Sequence, residues 1–309
     1  MFCVFCHSGG FMKKLICACA IIIAGGLYLW WGNNSLSVTN HTVRNDAVPE
    51  SFDGYRIVQL SDIHNKDFRG RLSEKVKTLS PDIIVITGDL IDSRRTNLSV
   101  SEKLINELKT VAPIYYVTGN HESRIPEYSE LREILEKNGV AVLDGKNIPI
   151  ERNGDAIILT GIDDATFFGS GTLNEREIIF TQRLKELAKD KGRNFGILLS
   201  HRPELIDIYA ECGFDLAFTG HAHGGPEHFS QYMAMGADLV FSGHAHGGQV
   251  RLPFVGGILT PNQGFFPEYD AGEFKKDGLT MIVSRGLGNS VFPFRIFNRP
   301  EIIVCELMR

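Results

Sequence analysis

The chain predicts an α/β fold carried behind a membrane helix. Three observations predict it: an uncharged apolar run lies near the amino end, β-rich runs alternate with helix-patterned runs from Tyr55 onward, and the chemically distinctive residues follow the strands. The apolar run comes first. In "FMKKLICACAIIIAGGLYLWWGNNS", Lys13 and Lys14 precede an uncharged stretch from Leu15 to Trp31. At about 1.5 Å per residue it spans about 26 Å, slightly short for a bilayer core and long for the apolar part of a signal peptide. No charge follows until Arg44, so the positive-inside rule places the amino end in the cytoplasm and the rest outside, with Trp30 and Trp31 at the far interface. A cleaved signal peptide is the alternative, but no convincing A-x-A site follows the run. Residues 1–36 are therefore read as a retained single-pass anchor, the polar stretch 37–51 as a linker, and 52–309 as the main domain.

The remaining elements come in order. "YRIVQLSD" reads as a strand, "RLSEKVKTL" as a helix, "DIIVITGD" as a strand, "SEKLINELKTV" as a helix and "IYYVTGN" as a strand. "PEYSELREILEKNG" is a helix begun by Pro126 and stopped by Gly139. Short strands follow near Val140 to Leu143, Ile148 to Glu151 and Ala156 to Gly161, then a helix near Glu175 to Lys189, then the strand "FGILLSH". Sheets covered by helices follow from that alternation.

Composition narrows the function. A chain of 309 residues with 43% hydrophobic residues and a net charge of −5 has a large core and no basic field, which argues against nucleic acid as a partner. Of the six cysteines, Cys3, Cys6, Cys17 and Cys19 precede or enter the anchor, and Cys212 and Cys305 alone remain, so no disulfide framework is implied.

The strand ends carry the chemistry. Asp62 and His64 follow the first strand, Asp89 the second, Asn120 and His121 the third, His201 a later one, and paired histidines close the series. In open α/β sheets the ligand crevice lies outside the carboxyl ends of strands, where loops converge. Carboxylate and imidazole together suit Mn, Fe or Zn better than an all-oxygen metal. One ion would not use so many ligands. Two divalent metal ions sharing one carboxylate would, and such pairs clamp the attacking and leaving oxygens of a phosphoryl displacement. Two ions, two aspartates and one hydroxide leave a charge of +1, attractive to a phosphate ester.

The motifs "SDIH", "GDLID", "GNHE", "LSH" and "SGHAHGG" resemble, in order, those of the calcineurin-like metallophosphoesterases, and the match to their membrane-associated bacterial phosphodiesterase branch runs from about Tyr55 to the terminal "FNRPEIIV". The resemblance implies a four-layer α/β/β/α sandwich of two mixed sheets. It further implies that Asp62, His64, Asp89 and the second histidine of a Gly-His-x-His motif hold one metal. Asp89, Asn120, His201 and that motif's first histidine would hold the other. His121 would be the proton donor to the leaving oxygen and Asp92 the carboxylate that orients it. The resemblance implies a phosphoester substrate, a diester ahead of a monoester; the anchor favours one of the cell envelope, lipid-linked among others, or another extracytoplasmic phosphoester, and the competing reading is a non-catalytic metal-binding or scaffolding protein of the cell surface.

The histidine motif occurs twice. Pro203, Glu204, Tyr209, Gly213, Asp215 and His221 recur 23 positions later as Pro226, Glu227, Tyr232, Gly236, Asp238 and His244, so 203–225 and 226–248 are copies of one helix–strand–loop unit. The sequence favours His244 and His246 as the ligand pair, because "SGHAHGGQVRLPFVGG" continues as the family does and an inserted unit before it could bulge onto a sheet edge. His221 and His223 are the alternative.

Overall fold

A computed structural model describes residues 8–169, 171–202, 205–220, 285–289 and 294–309, and between 220 and 285 the strands named below. The apolar helix α1 (Ser8–Asn34) comes first, and the strand β1 (Ser37–Arg44) begins after Ser35 and Leu36. Then β2 (Tyr55–Leu60), α2 (Arg71–Thr78), β3 (Ile83–Thr87), α3 (Leu98–Leu108), β4 (Ile114–Val117), α4 (Tyr128–Lys137) and β5 (Ala141–Val142) alternate as the sequence pattern predicts. The hairpin β6 (Lys146–Arg152) and β7 (Asp155–Gly161) leads to α5 (Leu173–Lys191), β8 (Gly196–Leu199), α6 (Ile206–Glu211), β9 (Leu216–Phe218) and β10 (Leu239–Ser242). Two small antiparallel ladders, β11 (Arg251–Leu252) with β12 (Gly256–Gly257) and β13 (Leu259–Thr260) with β14 (Gly264–Phe265), precede β15 (Gly272–Lys276), β16 (Leu279–Val283) and β17 (Glu301–Met308).

Two mixed sheets result, one ordered β1-β17-β2-β3-β4-β5 and the other β15-β16-β10-β9-β8-β7-β6. Because successive side chains on a strand point to opposite faces, each central strand serves two layers. On β2 and β3, Ile57, Ile83 and Val85 meet Ile157, Leu159, Ile197, Leu199 and Phe218 of the second sheet. Their alternating neighbours Val58, Leu60, Ile84 and Ile86 face Leu72 and Val76 of α2, Leu104, Ile105 and Leu108 of α3, and Leu131 and Leu135 of α4. On the far side, Phe180, Leu184 and Leu187 of α5 and Tyr209 of α6 cover Leu198 and Ala217. This is the four-layer sandwich the sequence predicts. Each of these fully buried aliphatic side chains contributes about 1.5 to 3 kcal/mol, so the layers are held chiefly by apolar area.

Two expectations are corrected. The stretch 37–51 is not simply a linker, because its first eight residues, β1, pair in parallel with all of β17. "SVTNHTVR" is polar because β1 is an edge strand, largely half-buried or exposed, and a polar edge strand reads like a tether. Nor does the duplicated unit bulge onto an edge. The strand of the first copy, β9, lies between β8 and β10, and the strand of the second, β10, lies between β9 and β16, both in parallel register. The sheet has absorbed an extra strand in its interior.

Candidate metal centre

Four strands of two sheets deliver their carboxyl ends to one place. Beyond β2 come Asp62 and His64, beyond β3 Asp89, beyond β4 Asn120 and His121, and beyond β8 His201; all are buried, with Asp62, Asp89 and His201 fully so. The two sheets are tied at this rim by Gln59 of β2, whose amide donates to Thr87 Oγ1 at 2.9 Å and to the Thr219 carbonyl at 2.8 Å.

The local backbone is bent to aim these side chains. Asp62, His64 and Asp89 all have φ near +50°, a region that costs a non-glycine residue of order 1 kcal/mol or more but that Asp and His visit more readily than most. Strain of this kind collects at functional sites. Gly88, at φ +85°, must be glycine for a second reason: a Cβ there would lie 2.5 Å from His201 Nδ1.

Asp89 stands between two groups of potential ligands. Asp62, Asp89 and His201 form one and His64, Asp89 and His121 the other, with the ligand atoms of each within 4.8 Å of one another. Its Oδ1 lies 3.5 Å from His201 Nε2, and its Oδ2 lies 3.8 Å from His64 Nε2 and 3.9 Å from His121 Nε2. Asn120 Oδ1 is 3.2 Å from His201 Nε2. His201 Nδ1 donates to the Thr87 carbonyl at 2.8 Å, which fixes the ring and leaves Nε2 turned toward Asp89 and Asn120. The donor set, all oxygen and imidazole nitrogen around one central carboxylate, fits divalent metal ions.

The charges are matched to such an occupant. Burial alone would raise the Asp89 carboxyl, but the facing imidazoles, His201 foremost, hold it well below the usual carboxylate range. Burial likewise opposes the charged form of His201, yet Asp89, and after it Asp62, pushes it up to about 10. Without metal, Nε2 therefore carries a proton at neutral pH, and that pairing stabilises the fold fully below pH about 6.5 and is lost as pH rises through about 10. A metal ion bound through Nε2 must displace this proton. Metal affinity should accordingly rise with pH, by up to about tenfold per unit from this residue, until pH reaches about 10, with release of about one proton, measurable from the buffer dependence of the binding enthalpy.

His121 is placed differently from the rest. Its Nδ1 accepts the Ser93 amide at 3.0 Å, so in the neutral ring the proton sits on Nε2, the nitrogen that faces the centre. Asp92 is close but engaged: its Oδ1 is 3.5 Å from His121 Nδ1, while both its oxygens are held by Arg94 at 2.9 and 3.0 Å. The Ser93 amide is thus a nearer contact to His121 Nδ1 than the carboxylate that sequence singled out.

One residue was missed by sequence reasoning. Glu122, fully buried, accepts the amides of Asp89 (3.1 Å) and Gly119 (2.8 Å) on Oε2 and those of Leu90 (2.8 Å) and Ile91 (3.3 Å) on Oε1. It binds the loop after β3 to the loop after β4 and so sets where Asp89 stands relative to Asn120 and His121. Burial and the charge of Asp89 push its carboxyl up to about 7, against the pull of His201 and these amides. The signal was the last letter of "GNHE": a glutamate directly after an apolar strand end has little reason to be there unless it is bonded.

Both histidine pairs, His221 with His223 and His244 with His246, lie outside the described residues. The strand leading to the first is well placed. β9 adjoins β8, and Gly220 packs so tightly that a Cβ would be 2.5 Å from the Thr87 carbonyl and 2.6 Å from His201 Nδ1.

The family model for calcineurin-like phosphoesterases matches residues 55–248, more than half of the chain and both copies of the repeat. The chain is 29% identical over 315 residues to YkuE of Bacillus subtilis, named an uncharacterized metallophosphoesterase, covering 96% of each chain. It is 28% identical to an uncharacterized metallophosphoesterase of Aquifex aeolicus, covering 93% of this chain and 97% of that one. A protein of Bos taurus named as a transmembrane protein with a metallophosphoesterase domain is 31% identical over 207 residues, 61% of this chain and 45% of the relative. With the ordered strand-end ligands gathered round Asp89 and a family match across the sheets that carry them, the chain belongs to the calcineurin-like phosphoesterases, a family of metal-dependent phosphoester hydrolases.

Proposed function

We propose that the protein is a phosphodiesterase with two divalent metal ions, held to a membrane by α1 and acting on an extracytoplasmic phosphoester of the cell envelope. The observation that carries the reading is the central position of Asp89, whose Oδ1 faces His201 and whose Oδ2 faces His64, side chains brought in by different loops. On this reading Asp62, His64 and Asp89 serve one ion and Asp89, Asn120 and His201 the other, each completed by one histidine of a pair. The ions, when bound, would polarise the phosphoryl oxygens and supply a water of lowered pKa. His121 then holds the transferable proton on Nε2 and gives it to the leaving oxygen, a contribution typically worth about 10² to 10⁴ in rate. Ser93 fixes the ring for that task, with the Asp92 carboxylate beside it.

The membrane and side of action are inferred from α1, whose segment Phe11–Asn34 is long and apolar enough to span a bilayer, from Lys13 and Lys14 at its start, and from the transmembrane name of the bovine relative. The test uses the full chain and a chromogenic phosphodiester, with Mn²⁺ and with chelator. Metal-dependent turnover is expected, abolished by chelation, and His121→Ala should lower kcat by about 10² to 10⁴ while bound metal is unchanged. Stoichiometric metal without turnover would instead show a metal-binding surface protein.

For the histidine pair, the strand order favours the first copy over the one the sequence favours. β9 is the strand next to β8, a Cβ added to Gly220 at its end would lie 2.6 Å from His201 Nδ1, and β10 is one strand spacing, about 4.8 Å, farther away. Alanine at both His221 and His223 should abolish turnover and alanine at both His244 and His246 should spare it. The opposite pattern would return the assignment to the second copy.

A further inference from the structure

The carboxyl end of α1 is fastened to the folded domain by polar bonds. Asn289 Nδ2 donates to Asn33 Oδ1 at 3.2 Å, and Arg71 donates to both oxygens of Asn34, main-chain and side-chain, at 3.2 and 3.1 Å. The Phe297 amide donates to Tyr28 Oη at 2.9 Å, and Arg299 lies over the Trp31 ring, 5.2 Å from its centre. At Gly32 the helix comes so close that a Cβ would stand 2.7 Å from the Arg295 carbonyl. Such a joint fixes the height and tilt of the domain relative to the helix.

Round the joint runs an exposed aromatic collar. Trp30 is 62% exposed, Trp31 47%, Phe294 44% and Phe297 53%, an apolar surface of the kind that sits at headgroup level when continuous with a membrane helix. Within the collar a cleft is lined by Trp30, Asn34, Asp67, Arg69 and Arg71. Its acidic member is already engaged: Asp67 Oδ1 accepts the Arg69 amide at 2.7 Å and lies 3.7 Å from Lys103 Nζ. Arg69 is exposed and forms no ion pair among the described residues. Arg71 spends three of its five N–H groups on Phe68 and Asn34, which immobilises the guanidinium and leaves two N–H groups to offer. Two guanidinium groups beside an exposed tryptophan, at the point where an apolar helix ends, match a phosphate carried on an acyl chain.

We infer that this cleft binds the phosphate headgroup of an anionic phospholipid in the leaflet where α1 emerges, seating the domain flat on the bilayer. The site lies on the loop that runs from His64 into α2, so the lipid would be held on the same loop that carries two of the metal ligands. The inference rests on the reading of α1 as a membrane span, and the test separates the two.

The chain has two tryptophans, both in the collar, so its intrinsic tryptophan fluorescence reports on this place alone. The full chain carrying Trp31→Phe, which leaves Trp30 as the single reporter, is placed in phosphatidylcholine bilayers with an equal mole fraction of either brominated phosphatidylglycerol or brominated phosphatidylcholine. Quenching should show a relative affinity roughly fivefold or more in favour of the anionic lipid, as expected for one or two arginines at a lipid surface. Arg69→Gln, which leaves the Arg71–Asn34 bonds in place, should reduce that preference at least about twofold, and adding Arg71→Gln should remove it. Equal quenching by both lipids would overturn the headgroup site and leave the span standing. No quenching by either would show that α1 is not in the bilayer and overturn the membrane reading itself. Binding of inorganic phosphate, seen as an Arg69-dependent change in Trp30 fluorescence, together with equal quenching by the two brominated lipids would assign the cleft to a free anion and overturn the lipid proposal, as would an unchanged preference in Arg69→Gln.

Discussion

Asp89→Asn is expected to lower phosphodiester hydrolysis by on the order of 10³-fold or more and to leave at most one metal ion per chain. The substitution keeps the shape of the side chain, and an amide oxygen at Oδ1 can still accept the His121 amide, now at 2.9 Å, so the loops should stay folded. What disappears is the negative charge that faces three imidazoles at 3.5 to 3.9 Å and would be shared between two cations. His201 loses the partner that raises it and falls toward the value burial alone would set, so the metal-free variant should release less acid on binding metal than the parent. Metal analysis by mass spectrometry alongside kcat/KM decides the matter. Retention of two ions, or of more than about a tenth of the activity, would remove Asp89 from the centre of the mechanism.

Glu122→Gln is expected to cost about 1 to 3 kcal/mol of stability above about pH 7, where the carboxyl is ionised, and less below it, where burial and Asp89 already favour the protonated acid. Four amides point at the two carboxylate oxygens, two at each. A carboxamide can accept only on its oxygen; its nitrogen would confront a pair of N–H groups with hydrogens of its own, deep in the protein. The loops after β3 and β4 should then part, and metal affinity should fall by about 10- to 100-fold as the ligands they carry lose their spacing. Urea unfolding of the metal-free chain measures the first effect, and excess metal should restore part of the loss by binding the folded state. A midpoint within experimental error of the parent would mean that the carboxylate is not the fastening it is described to be.

The site was legible because its residues follow β2, β3, β4 and β8 directly, so that apolar runs in the sequence mark where each ligand falls. Alternation of buried residues likewise gave the layers, since Ile57 and Val58 must face different neighbours. What escaped was set by contacts distant in sequence. The pairing of β1 with β17 joins residues 264 apart (301 − 37), and nothing in "SVTNHTVR" announces a partner at the other end of the chain. Glu122 was overlooked because its bonds are to main-chain amides, which no side-chain pattern reveals. The left-handed backbone at Asp62, His64 and Asp89 was also invisible, since all three are residues that ordinary turns accept. The histidine repeat showed the converse: its existence was plain, but the placement of β9 beside β8, with β10 one strand farther out, is a property of the assembled sheet.

The join between α1 and β1 has a mechanical meaning. A catalytic head on a slack tether sweeps a wide arc and samples the solution around it, whereas one whose tether is itself a sheet strand has almost no reach. Tension on the helix would be borne in shear by the eight residue pairs between Ser37 and Arg44 and their opposites on β17, the stiffest way to load such a ladder. On the proposed reading of α1 as a membrane span, the domain would have little reach beyond its point of attachment, and its substrate would have to come to it.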